Sequence, residues 1–391
     1  MMTQRPIRVV NIVARLNIGG PAIHVTLLTE KLGPPDYDSK LICGKIGADE
    51  GDMQYFADQH GVVPIFIPEL RRNLNPIRDL ITTWQLYRLL RQLKPDVVHT
   101  HTAKAGFVGR IAAKLAGVPV IVHTFHGHAF RGYFSASMAQ LIIVLERFTA
   151  RLSDTIITLT DSLRRELSDT YHITRKGRIT VLPLGLDLSE FVNTPHKTGA
   201  FRKVWNIPPD VPLIGIVGRM VPIKNHALFL EAAIKVKAQL PEAHFLIVGD
   251  GDTRSPIEAQ IDALGLRSAF TLTGWQKDLA QIYADMDVLV ISSINEGMPI
   301  SVIEALSAKC PVVATSVGGL PDLLGDGEFG KLVPLGDADA LAAAIIDVLR
   351  QPPNGTDAQQ AMLDRYGIER LIRDLDSLYR GLLAKKGRAR G

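Results

Sequence analysis

Short apolar runs alternate with longer amphipathic stretches along the chain. Runs at Ile7–Val13, Lys40–Cys43, Val63–Ile67, Asp96–His99, Pro119–His123, Thr155–Leu159 and Ile179–Leu182 predict buried strands. Stretches of helical periodicity such as Ile77–Leu93 and Gly106–Leu115 lie between them. The first run ends at Asn17-Ile18-Gly19-Gly20-Pro21, where Pro21 suits the first turn of a helix. Apolar strands joined by helices predict a parallel sheet covered on both faces. The alternation breaks at Pro183-Leu184-Gly185-Leu186-Asp187 and a polar segment, Asn193 to Gly199, follows. It restarts at Leu213–Val217, Ala243–Val248, Phe270–Thr273, Asp287–Ser292, Pro311–Ala314 and Lys331–Val333.

The expected architecture is therefore α/β, with two Rossmann-like parallel-sheet domains. Residues 1–190 form the first, 191–205 a linker and 206–365 the second; a helix over 366–391 is able to pack back on the first. Open parallel sheets bind ligands at the carboxyl ends of their strands, so two such crevices facing each other would make one cleft for a ligand with two recognisable ends.

At 391 residues the chain is too long for one ordinary core, which agrees with two domains. A net charge of +4 suits an anionic substrate or acidic lipid and is too small to argue for nucleic acid. Cys43 and Cys310 stand alone, without the spacing of a disulfide framework or a structural zinc site. Met1 to Pro6 lacks a signal-peptide core, and no apolar run reaches the length of a membrane span. The expectation is a cytoplasmic protein, with room for peripheral contact at the inner face of the membrane.

Two motifs carry chemistry. In the first, Asn295-Glu296-Gly297-Met298-Pro299-Ile300 connects a strand to a helix that holds Glu304 one turn in. Gly297 permits close approach to a ligand, Pro299 suits a helix start whose free N–H groups can meet an anion, and a carboxylate such as Glu304 can accept two hydrogen bonds from a vicinal diol. As a bare spacing, a solvated helix beside a loop glutamate would read the same. The second motif, Val217-Gly218-Arg219-Met220-Val221-Pro222-Ile223-Lys224, puts two cations at a strand-to-helix crevice, as a diphosphate requires; an ordinary surface basic pair is the alternative.

In order and spacing these motifs resemble the family 4 retaining glycosyltransferases of the GT-B fold. The resemblance covers nearly the whole chain. Its other anchors are Gly19-Gly20, His126, Leu182 to Asp187, Val248-Gly249-Asp250-Gly251 and Gly318-Gly319-Leu320-Pro321-Asp322. It implies a nucleotide-diphosphate sugar as donor substrate, a UDP- or GDP-sugar, with no cofactor and no metal. It implies further that Arg219 and Lys224 bind the diphosphate, Glu304 the ribose, and Glu296 with the backbone of Gly297, Met298, Pro299 and Ile300 the transferred sugar. Gly20 would let a helix start approach the donor, Gly274 and Trp275 would lie by the nucleobase, and His126 would contact the donor sugar. Asp322 stands where the family usually has Glu, and is left out of the site.

The acceptor, expected to be a sugar or a lipid-linked molecule, falls to the first domain, with His101, Lys104 and Arg131 as candidates. The histidines at His99, His101, His123, His126 and His128 end two strands. A metal cluster is the sharp alternative there, but the resembling fold needs none and no nearby carboxylate or thiol completes a site. His123 reads as a core residue. The activity implied is metal-independent transfer of a hexose to a hydroxyl in polysaccharide, glycolipid or other glycoconjugate synthesis. A nucleotide-sugar epimerase of the same fold and a non-catalytic nucleotide-sugar-binding protein are the rivals.

Overall fold

The computed structural model describes residues 5–47, 51–71, 75–127 and 136–388. The chain divides into two compact units, one made of Met1–Leu186 with Gly367–Gly391 and the other of Asp187–Tyr366.

The first unit is built on seven strands, β1 (Ile7–Arg15), β2 (Tyr37–Gly44), β3 (Ile65–Phe66), β4 (Val97–His101), β5 (Val120–Phe125), β6 (Thr155–Thr158) and β7 (Ile179–Val181). Their order is β3-β2-β1-β4-β5-β6-β7, and the neighbouring pairs run parallel. Every residue of β4 and β5 is buried, as continuous Val- and Ile-rich strands require when helices cover both faces. The helices Ala103–Ala116 and Ala136–Ala150 follow β4 and β5. Fully buried Arg110 on the former is paired with buried Glu146 on the latter at 2.5 Å. The last helix, Ile368–Arg388, belongs to this unit and buries Leu371, Leu375 and Tyr379. The Tyr379 hydroxyl lies 2.7 Å from Nδ1 of His99 on β4, and Tyr37 donates to Asp376 at 2.6 Å.

The second unit has six parallel strands, β8 (Leu213–Val217), β9 (His244–Val248), β10 (Phe270–Gly274), β11 (Val288–Ile291), β12 (Val312–Thr315) and β13 (Lys331–Val333), in the order β10-β9-β8-β11-β12-β13. Residues 191–205 include the end of helix Ser189–Asn193 and the whole of helix Ala200–Val204. Buried Asp285 accepts the backbone N–H groups of Gly199 and Phe201, both at 2.8 Å, so this stretch is anchored inside the unit. Asp287 accepts from the Leu213 amide and from Arg202, each at 2.8 Å. Both carboxylates of Asp285-Met286-Asp287 therefore serve the packing at the amino end of β8 and β11.

Candidate active site

In the second unit the two motifs meet at the carboxyl ends of β8 and β11, which are neighbours in the sheet. The exit of β8 is tight. Gly249 follows β9 at φ 134°, and a Cβ there would stand 1.9 Å from the Gly218 carbonyl oxygen. Only glycine combines that backbone angle with that approach. Past Gly218 the chain makes a short turn, Pro222–Lys224, before helix His226–Gln239.

That turn aims Lys224 at the other motif. Its Nζ donates to Glu296 Oε1 at 2.6 Å, and the Ser293 hydroxyl donates to the same oxygen at 2.6 Å. The backbones are tied as well: the Ile294 amide donates to the Ile223 carbonyl at 2.8 Å, and the Ser292 hydroxyl to that of Lys224 at 2.9 Å. From the far side the loop after β12 supports the Glu296 turn. The Gly319 amide donates to the Glu296 carbonyl at 3.0 Å. Gly318, at φ 55°, comes so close that a Cβ would meet that same oxygen at 1.9 Å. Lys224 and Glu296 are thus held by two strand exits and a glycine loop.

Gly297 and Met298 lead from Glu296 to Pro299, the residue that precedes helix Ile300–Ser307; no side chain caps this helix. The Val302 amide donates to the Pro299 carbonyl at 3.2 Å, so the N–H groups suited to meet an anion are those of Ile300 and Ser301 ahead of it. Glu304, one turn in, is buried and accepts from the Tyr283 hydroxyl at 3.0 Å. Burial pushes its carboxyl up to about 7; the Tyr283 bond opposes this and the nearby Glu190 charge adds to it. Arg219 is exposed at the start of the turn that carries Lys224. Gly274 ends β10 and accepts the Gly249 amide at 2.9 Å, and the neighbouring Trp275 is 40% exposed.

The remaining candidates lie in the first unit. Gly20 begins helix Gly20–Lys31 after Gly19, whose φ is 150°; this helix too has no side-chain cap. His126 follows β5, and its Nε2 lies 3.0 Å from Nδ1 of His101, the last residue of β4. His24, on the first helix, packs edge-on against both rings. Burial holds His24 and His101 well below the usual imidazole range and brings His126 down to about 4. The cluster is therefore neutral at physiological pH. One ring nitrogen from each of His24, His101 and His126 lies within 4.8 Å of the others, so these three residues could also hold a metal ion. His101 is fully buried, and Lys104, itself largely buried, is ion-paired with Asp79. Arg131 and His128 lie outside the described residues. His123 is fully buried beside Thr100, at 2.9 Å.

Reasoning from the sequence missed His24 and Tyr283. His24 sits four residues after Gly20, one turn into a helix whose start was already singled out. Tyr283 lies in an apolar helix, where nothing local marks its hydroxyl as the partner of a carboxylate 21 residues on.

Two family models match. "Glycosyltransferase Family 4" covers residues 18–190 and "Glycosyl transferases group 1" covers residues 197–370. An Escherichia coli protein described as a UDP-Gal:α-D-GlcNAc-diphosphoundecaprenol α-1,3-galactosyltransferase is 33% identical over 322 residues, 82% of each chain. A 2-deoxystreptamine N-acetyl-D-glucosaminyltransferase of Streptomyces fradiae is 29% identical, over 79% of this chain and 78% of its own. Among solved structures, an Anabaena protein in complex with UDP and glucose superposes with a TM-score of 0.83 at 18% identity, covering 96% of this chain and all of that one. A sucrose-phosphate synthase of Thermosynechococcus elongatus gives 0.82 at 21% identity, over 97% of this chain and all of its own.

Proposed function

The chain belongs to glycosyltransferase family 4 and has the GT-B fold, and from that premise we propose that it is a retaining, metal-independent hexosyltransferase that uses a UDP-sugar and a lipid-diphosphate-linked acceptor. The observation that carries this reading is the Lys224–Glu296 pair, set beside an uncapped helix start with Glu304 one turn in. Lys224 and Arg219 are read as the diphosphate clamp. Their charge supplies without a cation bridge what the departing nucleotide needs. Glu296 and the backbone of Gly297 to Ile300 are assigned to the transferred sugar, Glu304 to the ribose, and Gly274 with Trp275 to the base. Neutral His126 is assigned to the donor sugar, with His101 holding its ring. UDP is favoured because the Escherichia coli relative is described with UDP-Gal and the Anabaena structure with UDP.

In this reading the acceptor hydroxyl attacks on the face from which the diphosphate leaves. The C1–oxygen bond to phosphate breaks as the new glycosidic bond forms, and the leaving phosphate takes the hydroxyl proton. The protein contributes positioning and charge stabilisation. A panel of UDP-hexoses mixed with a lipid-diphosphate N-acetylhexosamine acceptor, in excess chelator, tests it. The expected product is an α-linked disaccharide, identified by its anomeric coupling, at a rate unchanged by chelation. A β-linked product would overturn retention. A loss of activity restored by Mn²⁺ or Zn²⁺ would turn attention to His24, His101 and His126. An epimerised sugar nucleotide would overturn transfer itself.

Glu304 gives a pH-dependent prediction. Its folded pKa is raised, to about 7, so the free protein carries the proton below that pH and loses it above. Gripping both hydroxyls of a diol needs the ionised form. UDP-glucose affinity should therefore rise with pH through 7 and weaken by up to about tenfold per unit below it, since one pKa unit is 1.36 kcal/mol. The donor's diphosphodiester does not titrate in this window. Calorimetric titration from pH 6 to 8 should show the slope in the wild type and none in Glu304→Gln. A slope that persists in Glu304→Gln would place the titrating group elsewhere.

A further inference from the structure

Helix Pro76–Leu93 is apolar on two opposite faces. Thr82, Leu86 and Leu90 point into the core of the first unit and are buried. On the opposite side Ile77 is 74% exposed, Leu80 72% and Trp84 58%, with Ile81 also open. Successive residues turn by 100°, so Ile77, Leu80, Ile81 and Trp84 form one stripe, and Arg88 and Arg91, both exposed, continue it towards the helix C-terminus. A helix on the outside of a soluble domain normally carries polar side chains in that stripe. The pattern recurs nearby. Helix Ala103–Ala116 packs against Pro76–Leu93 on one side and Ala136–Ala150 on the other. The latter exposes Leu141, Val144 and Phe148, again at helical spacing.

We infer that this three-helix layer is a membrane-docking face, which lies on an anionic bilayer with Ile77, Leu80, Ile81 and Trp84 inserted at the level of the headgroups. Charge selects a bilayer over a second copy of the chain. The exposed cations around the apolar stripes are Arg78, Arg88, Arg91, Lys114 and Arg151. The sole acidic residue of helix Pro76–Leu93, Asp79, is neutralised by Lys104. Apolar insertion flanked by cations, with an aromatic ring at the boundary, is how an interfacial helix binds acidic lipid; two copies of this face would bring like charges together. No helix among the described residues is long and apolar enough to cross a membrane. The inference rests on the reading of a lipid-linked acceptor, which such docking would bring within reach.

Co-sedimentation with vesicles of phosphatidylglycerol and phosphatidylcholine, free of any acceptor, tests the face independently of turnover. The wild type should partition onto anionic vesicles, only weakly onto pure phosphatidylcholine, and less at high salt. The Ile77→Ser/Leu80→Ser/Trp84→Ser variant should lose at least tenfold in partition, and Arg88→Gln/Arg91→Gln several-fold. Both should keep the wild-type melting temperature and the rate on a water-soluble acceptor. Equal partition of wild type and both variants would overturn the proposal. So would a change confined to oligomeric state by light scattering, which would assign the face to a second copy. Vesicle binding without transfer to a detergent-dispersed lipid acceptor would leave the docking face standing and count against the acceptor reading instead.

Discussion

Lys224→Ala is expected to lower turnover by roughly 10²–10³-fold, the usual loss when one preorganised donor to a developing negative charge is removed. Arg219→Ala should follow in the same direction. The structure gives the reason for singling out Lys224. Its ammonium is held 2.6 Å from Glu296 by a turn whose backbone is itself bonded to the Glu296 loop, so it is in position before any ligand arrives. A donor diphosphate would compete with Glu296 for that cation and leave the carboxylate to a sugar hydroxyl. The Lys224 side chain is 23% exposed and that of Glu296 10%, so the pair is largely desolvated and its loss also carries a cost in stability. Initial rates at saturating donor, beside a thermal melt, separate the two effects. A variant within fivefold of wild-type turnover would remove Lys224 from the diphosphate clamp.

The second large effect is on stability and falls in the first unit. Arg110 and Glu146 form an ion pair at 2.5 Å with the arginine side chain fully buried and the glutamate 3% exposed. Arg110 also donates to the Gly106 carbonyl at 2.7 Å, which fixes the guanidinium between two helices. Glu146→Ala should cost about 3–5 kcal/mol, because it strands a charge that has no access to water. The double replacement Arg110→Met/Glu146→Leu should recover most of that loss, since it removes both desolvation penalties and keeps the volume. Urea denaturation of the three proteins measures this. A single variant no less stable than the wild type would mean that the guanidinium finds water or another acceptor.

What the sequence determined by itself was the run of elements and the place of the two motifs after strand ends in the second unit. β8 and β13 lie at their expected residues, and the other strands differ only at their ends. The helix before Asp96 was legible because its 3.6-residue period holds for almost five turns. Arg219 and Glu296 could be placed because they follow the ends of β8 and β11 by two and five residues, with Lys224 and Glu304 in the turn and the helix beyond, and a parallel sheet sends the carboxyl ends of its strands to one edge. The local chain thus already carries the information.

Tertiary structure alone decided the pairings. The bond between Lys224 and Glu296 joins residues 72 apart, and no periodicity encodes that β8 and β11 are neighbours. It decided that His24 joins His101 and His126, residues carried on three separate elements. It gave Glu304 its raised pKa, since burial against Tyr283 is a property of packing. It also decided which side of helix Pro76–Leu93 faces water. The sequence shows apolar residues at helical spacing on two opposite sides of this helix, and only the position of the sheet tells Leu86 from Trp84. Strand and helix periods arise from backbone geometry between near neighbours, and survive in any sequence that obeys them. Partner choice, burial and charge state depend on what the rest of the chain places alongside, and become defined only when it folds.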